Sequence, residues 1–264
     1  MNHEEIGGFY VSLALVILFV VFYYVRFKYF FKGPFGGGIK KEDLRHVLIE
    51  HFIYYKRLSS GDKVKFENRV LHFIQIKEFI PRQIPKVTVE MKVLIAACCV
   101  QLTFGFPSVH LEHFKRILIY PDSYYSTINR TYHKGEVNPR GRLIVLSWKS
   151  FVSGYINPTD SINLGLHEMA HALKLENKIQ NNEYRFLDPQ LLQKWQSLSS
   201  DSIKAMKRGE IDFFRKYAEV NEDEFFAVAI ENFFEKPAEF KEQLPELYGT
   251  MTGLLRQNPL EILN

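Results

Sequence analysis

The hydrophobic positions of the chain change their period along its length. From Phe9 to Val25 the sequence reads FYVSLALVILFVVFYYV, apolar on every face and without a charge. As a helix this stretch would span roughly 25 Å at about 1.5 Å per residue, the short end of what a bilayer requires. From about Glu42 to Tyr55, and again from about Gly61 to Phe79, apolar residues recur at helical spacing: Val64, Phe66, Val70, Phe73, Ile74 and Ile76 alternate with Lys and Glu. VTVEMKVLIAACCVQLTFGF predicts a third helix that begins near Thr88 and ends before Gly105. The period then shortens. FKRILIYP and GRLIVLSW are short, β-branched and bounded by Pro or Gly, which predicts strands. The polar stretch DSYYSTINRTYHKGEVNPR between them predicts a loop or hairpin, and SWKSFVSGYINPTDSINLG leads to the next helical segment. Helical spacing returns in NLGLHEMAHALKLEN, around DPQLLQKWQSL, in EDEFFAVAIENFFEKP and in the closing KEQLPELYGTMTGLLRQNP. Helices, a few strands, then helices again point to an α+β fold with helices packed around a small sheet.

The uncharged N-terminal run is expected to be a single transmembrane helix, the span at about 9–25 within an anchor covering 1–32. A secretory signal would start with positive charge and end in small residues, whereas this start carries Glu4 and Glu5 and the run is followed by aromatics. A core helix would show a polar face, and only Ser12 interrupts this one. Arg26, Lys28, Lys32, Lys40 and Lys41 all follow the span, so the positive-inside rule places the remainder in the cytoplasm. KGPFGGGIKK breaks any helix and makes residues 33–41 a flexible linker, which leaves 42–264 as the soluble domain.

Composition narrows the classes. At 46% hydrophobic and 24% charged the chain is no disordered protein. A net charge of +4, with no basic stripe, gives nucleic acid no footing as a partner. Cys98 and Cys99 are adjacent, so they read as small buried residues in a reducing compartment and offer no C-x-x-C for a thiolate zinc site.

The candidate chemistry lies in LHEMAHAL. His167, Glu168 and His171 form H-E-x-x-H. Four residues turn a helix by about 400°, so both imidazoles face one way and can grip one zinc ion, with Glu168 beside them as general base. The bare pattern also arises by chance. A third protein ligand is needed, and no second histidine motif follows His171. NEDEFFAVAIENFFE offers Glu222, Asp223, Glu224 and Glu231, with Glu224 and Glu231 on one face. Spacing leaves a structural alternative open: Asn221 as N-cap with Glu224 as the third residue of a capping box.

Read together, ILIYP (117–121), IVLSW (144–148), LHEMAHAL (166–173), YAEVNEDEFFAVAIENFFEKPAEF (217–240) and LLRQNPL (254–260) resemble the Mlc titration factor A family of zinc peptidases. The resemblance covers most of residues 60–264 and leaves out the anchor. It implies a zincin-like metallopeptidase domain of gluzincin type, binding one zinc ion per chain through His167, His171 and Glu224. It further implies Glu168 as general base, Tyr217 as the phenol that steadies the oxyanion, and aminopeptidase-like activity on a peptide or protein substrate. Some members of the family bind a sugar-system repressor. The competing expectation is therefore a zinc-stabilised binding module that captures a transcriptional regulator with little catalysis. The sequence departs from the family pattern at Lys174 and Arg215, where acidic residues are usual, so a carboxylate supporting the metal ligands must come from Glu231 or Glu176. By fold analogy, GRLIVLSW is expected to be the strand beside the cleft to which a substrate peptide adds.

Overall fold

The computed structural model describes residues 38–126 and 130–262. The proposed anchor (1–32) and most of the linker (33–41) lie outside the described residues; among those described, no helix is long and apolar enough to cross a membrane.

Helix α1 (Lys41–His51) opens the described chain and α2 (Ile53–Arg57) follows it. The sequence pattern suggests one continuous helix here. The backbone instead turns extended at Phe52, whose ring is wholly buried, so the two pieces lie on different lines. Helix α3 (Ser60–Ile76) starts at Ser59, which caps it by accepting from the Asp62 N–H. It stops earlier than its period predicts, because Glu78–Pro81 leaves the helix and becomes strand β1. A long-range partner overrides the local propensity: β1 pairs in parallel with Arg116–Ile119.

Helix α4 (Val89–Thr103) begins where its sequence predicts, the Thr88 hydroxyl accepts the Met91 N–H as a cap, and the helix is buried without interruption from Val93 to Thr103. That enclosure explains its unbroken apolar run. Cys98 and Cys99 are free thiols in this packing, and burial pushes both thiol pKa values up.

The sheet has the order β1, β2 (Arg116–Tyr120), β6 (Leu143–Ser147), β5 (Gly135–Asn138). β1, β2 and β6 run parallel, and β5 lies antiparallel to β6. Side chains alternate across the pleat. Ile117, Ile119, Ile144 and Leu146 enter the main core, whereas Leu118 and Val145 join Tyr124 in a smaller cluster on the other face. The polar stretch between β2 and β6 contains a hairpin, β3 (Tyr124–Ser126) with β4 (Thr131–His133), and then β5.

One expectation is corrected here. GRLIVLSW is not the edge beside the cleft: β6 is sandwiched between β2 and β5, and β5 is the terminal strand on that side. The segment after it forms helix α5 (Trp148–Ile156), capped by the Ser147 hydroxyl. The rest of the domain is helical: α6 (Leu164–Lys178), α7 (Pro189–Lys207), a short 3-10 turn (Lys216–Glu219), α8 (Glu222–Glu235), α9 (Pro237–Gln243), α10 (Pro245–Leu255) and α11 (Pro259–Ile262). α6 packs between α4, α8 and the β5–β6 end of the sheet. Gly165 permits that approach, because a β-carbon there would lie 2.6 Å from the Phe151 ring and 2.9 Å from Cys98 Sγ.

Candidate metal centre

The centre is built where the first turns of α6 and α8 meet. Asn163 caps α6: its Oδ1 accepts the Leu166 N–H at 3.0 Å. This fixes the turn that carries His167, Glu168 and His171. Asn221 caps α8, accepting the N–H groups of Asp223 and Glu224 at 2.8 and 2.9 Å. The Asn221 cap therefore forms, but no return bond from the Glu224 side chain to the Asn221 N–H completes the expected capping box. The backbone of Glu224 serves the cap, and its carboxylate turns toward the histidines.

Glu224 Oε2 lies 3.0 Å from His167 Nε2 and 3.4 Å from His171 Nε2, and the two imidazole nitrogens are 3.2 Å apart. A tetrahedral zinc site with bonds of about 2.0–2.1 Å sets its ligand atoms roughly 3.3–3.4 Å from one another. The triad is thus pre-spaced for such an ion. His167 Nδ1 stands 2.8 Å from Glu231 Oε1, so in the neutral ring Nδ1 carries the proton and Nε2 presents a lone pair to the centre. Lone pairs converging without a cation repel one another. Accordingly the metal-free triad attracts a proton. Burial of His167 opposes its charge, but hydrogen bonding to Glu224 and Glu231 outweighs burial and raises its pKa to about 9. Burial likewise opposes the charge on Glu224, and the two histidines overcome it and hold that carboxyl well below the usual range. His167, His171 and Glu224 together form a possible metal site.

Glu231, one of the two candidate supporting carboxylates, is wholly buried. Besides His167 it accepts the Asn163 N–H at 2.6 Å and both Arg215 amino groups at 2.7 and 3.0 Å. The other candidate, Glu176, is engaged elsewhere: it accepts the His113 N–H and the Asn181 side-chain amide. Arg215 is thus part of the centre's support. Its sequence signal was only that a basic residue stands where acid is usual. Lys174, the other departure, pairs with Asp223 on the cleft rim.

Glu168 is buried, and burial pushes its carboxyl pKa up to about 7 against the opposing pull of His167 and His171. Its carboxylate lies against strand β5 at Gly135, where any β-carbon would occupy the same space. Tyr217, on the 3-10 turn, is half exposed, with its ring centroid 5.9 Å from that of His167. Burial and the nearby carboxylates of Glu224 and Glu168 raise its phenol pKa. A cleft of about 360 Å³ opens over this group and is also lined by His133, Gly135 and Glu136. These three belong to a polar, turn-like stretch with no periodic signal, so the sequence alone did not single them out.

Comparison with known proteins agrees with this picture. The model of a family described as glucose-regulated metallo-peptidase M90 matches residues 39–256. An uncharacterized protein of Synechocystis sp. is 26% identical over 229 residues, covering 81% of this chain and 83% of that protein. The protein named Mlc titration factor A from Pectobacterium atrosepticum is 26% identical over 226 residues, covering 77% of this chain and 82% of its own. Its namesake from Edwardsiella ictaluri is 26% identical over 213 residues, with coverages of 72% and 78%.

Proposed function

The chain belongs to the glucose-regulated metallo-peptidase M90 family, and on that premise we propose that it is a zinc-dependent peptidase with aminopeptidase-like activity. The observation that carries this reading is the near-tetrahedral spacing of three lone-pair atoms from His167, His171 and Glu224. Their donor set of two imidazoles and one carboxylate suits zinc, which when bound supplies positive charge that acidifies water and polarises a carbonyl.

The chain's own groups supply the rest. Glu168, poised near neutrality by burial, takes a proton from the attacking water and passes it to the departing amine. Tyr217 donates its phenolic O–H to the oxyanion that develops on the carbonyl oxygen. Glu231 holds the Nδ1–H of His167, and Arg215 holds Glu231. The outer edge of β5, beside Glu168, is the place for an extended substrate to pair. The N-terminal apolar run anchors the protein in a membrane with the catalytic domain on the cytoplasmic side. Membrane fractionation, with a reporter at the C-terminus, tests that topology.

A second reading comes from the printed name of the Mlc titration factor A relatives. On it, the centre stabilises a surface that captures a regulator protein, with little catalysis. One experiment separates the two. The full chain, assayed for metal and for cleavage of aminoacyl and peptide reporters, is compared with Glu168→Gln. The peptidase reading expects one zinc ion in both and a loss of roughly 10²–10⁴-fold in turnover in the variant. Full metal with no cleavage by the parent chain leaves the capture reading.

A further inference from the structure

The cleft over the metal centre does not end at its candidate ligands. His171, Lys174 and Lys178 stand at i, i+3 and i+7 of helix α6, hence on one helical face. Both lysines line the cleft. They also line a second hollow of about 380 Å³, which shares Asn221 and Asp223 with the first. The lining of that hollow includes Leu192 and Gln196 of α7 and Glu222 of α8. One groove therefore leads from the candidate ligands along the C-terminal half of α6.

The far wall of this groove is tied down. Asn177 Oδ1 accepts the Leu187 N–H at 2.9 Å, and the Asn177 carbonyl accepts the Arg185 N–H at 3.0 Å. These bonds hold the segment before α7 against α6, so the groove is formed before anything binds in it.

The two lysines differ in what holds them. Lys174 pairs with Asp223, and its ammonium lies 5.4 Å from the centroid of the Phe226 ring. Lys178 is exposed, and among the described residues no hydrogen bond or ion pair holds its ammonium. Of the acids that open α8, Asp223 is engaged by Lys174, Glu224 is turned to the histidines and Glu222 lines only the outer hollow. An anionic group entering from the metal centre thus meets a free cation at Lys178. The same charge, in the last turn of α6, also suits the helix dipole, so a role toward substrate has to be read from the charge of the substrate.

The spacing sets a length. Seven residues at about 1.5 Å each put Lys178 roughly 10 Å beyond His171 along the helix. An extended peptide advances about 3.3 Å per residue, so roughly three residues cover that distance. An aminopeptidase removes the first residue, and the long part of its substrate lies on the C-terminal side of the scissile bond.

We infer that the groove along α6 holds the peptide C-terminal to the scissile bond, and that Lys178 selects substrates bearing a carboxylate about three residues beyond that bond. The direction of the chain rests on the peptidase reading, whereas the pairing of a carboxylate with Lys178 does not. The carboxylate is that of an acidic side chain or of the terminus of a short peptide.

Two pairs of tetrapeptides test this on the full chain. The first pair is Ala-Ala-Ala-Glu and Ala-Ala-Ala-Gln, both with a C-terminal amide; the second is tetra-alanine as free acid and as amide. Binding is measured by calorimetry on zinc-loaded Glu168→Gln, which does not turn the peptides over. The acid member of at least one pair should bind threefold or more tighter, the scale of an exposed ion pair. A preference in the first pair assigns the groove to acidic side chains, and one in the second pair alone to short peptides. Adding Lys178→Gln should abolish the preference, and Lys178→Glu should reverse it. A carboxylate held by the zinc ion itself, or a lysine that serves only the helix, would leave the preference unchanged, and that result overturns the assignment. Equal binding of both members of both pairs, or no binding of any, overturns it as well. On the parent chain the ratio of kcat/KM within each pair reads the same preference, so the test stands even if Glu168→Gln folds poorly. A chain that binds with the preference but cleaves no peptide fails the peptidase reading and keeps Lys178 as the carboxylate site.

Discussion

His167 Nδ1 and Glu231 Oε1 stand 2.8 Å apart in a fully buried contact, and both Arg215 amino groups close on the same carboxylate. The ring nitrogen facing the metal position is therefore oriented by a residue 64 positions further on. Glu231→Gln keeps the shape but weakens the acceptor, and zinc affinity should fall about 10–100-fold. Competition with a chromophoric chelator measures it. Arg215→Met leaves Glu231 buried without its cation. Because Arg215 is itself partly exposed, the cost should be about 2 kcal/mol, between the values for surface and buried pairs. Urea denaturation of the metal-free chain checks this, and a cost no larger than an ordinary surface substitution would remove Arg215 from the support.

Glu224 has one observed role, in the helix cap, and one proposed role, as metal ligand, and substitution can separate them. Its N–H is held by the Asn221 cap, which survives any change of side chain. Glu224→Gln should therefore leave the fold intact, with a stability change within about 1 kcal/mol, while zinc affinity collapses for want of the anionic oxygen. Retention of one zinc ion per chain by Glu224→Gln would mean that another carboxylate completes the set.

Gly135 matters for the space it leaves empty. A β-carbon there would land on the Glu168 carboxylate, so Gly135→Ala must displace either the base or strand β5. Turnover should drop at least tenfold, a modest case of the losses that follow a 1 Å misplacement. Zinc should remain, because the three atoms nearest to such a β-carbon all belong to Glu168 and none to a candidate ligand. Equal loss of zinc would show that β5 supports the ligands as well as the base.

Glu235 gives stability a pH dependence. Burial raises its carboxyl pKa from 4.5 to about 7, against hydrogen bonds from Asn163 and Ser161 that favour the charged form and with the Glu231 and Asp160 charges adding to the rise. Between those values the folded chain binds more protons at this site than the unfolded chain. Its contribution to stability is therefore present below pH 4.5, falls as pH rises through that window and is flat above about 7. Glu235→Gln should remove this slope, a difference of up to a few kcal/mol across the window by the usual conversion of about 1.4 kcal/mol per pH unit. Denaturation midpoints of both proteins at several pH values test it. Parallel curves would show that Glu235 titrates alike in both states.

What the sequence determined by itself is whatever depends on near neighbours. The i, i+4 spacing put His167 and His171 on one helical face, and the β-branched runs marked β2 and β6 as strands. Asn221 stands where its side chain suggested, as a cap. Only the tertiary structure decided matters of distance along the chain. The choice of Glu231 over Glu176 depended on which carboxylate α8 and α6 bring together when they pack. The strand beside the cleft is β5, hidden in a polar stretch, since edge position follows from pairing order and not from composition. β1 broke from a helical pattern because parallel pairing with β2, 38 residues away, gave its backbone groups partners the local pattern does not reveal. Arg215, whose charge departs from the family pattern, took meaning only once Glu231 lay against it. Periodicity and capping are encoded over a few residues. Pairing and support of the centre arise between segments whose approach no local pattern records.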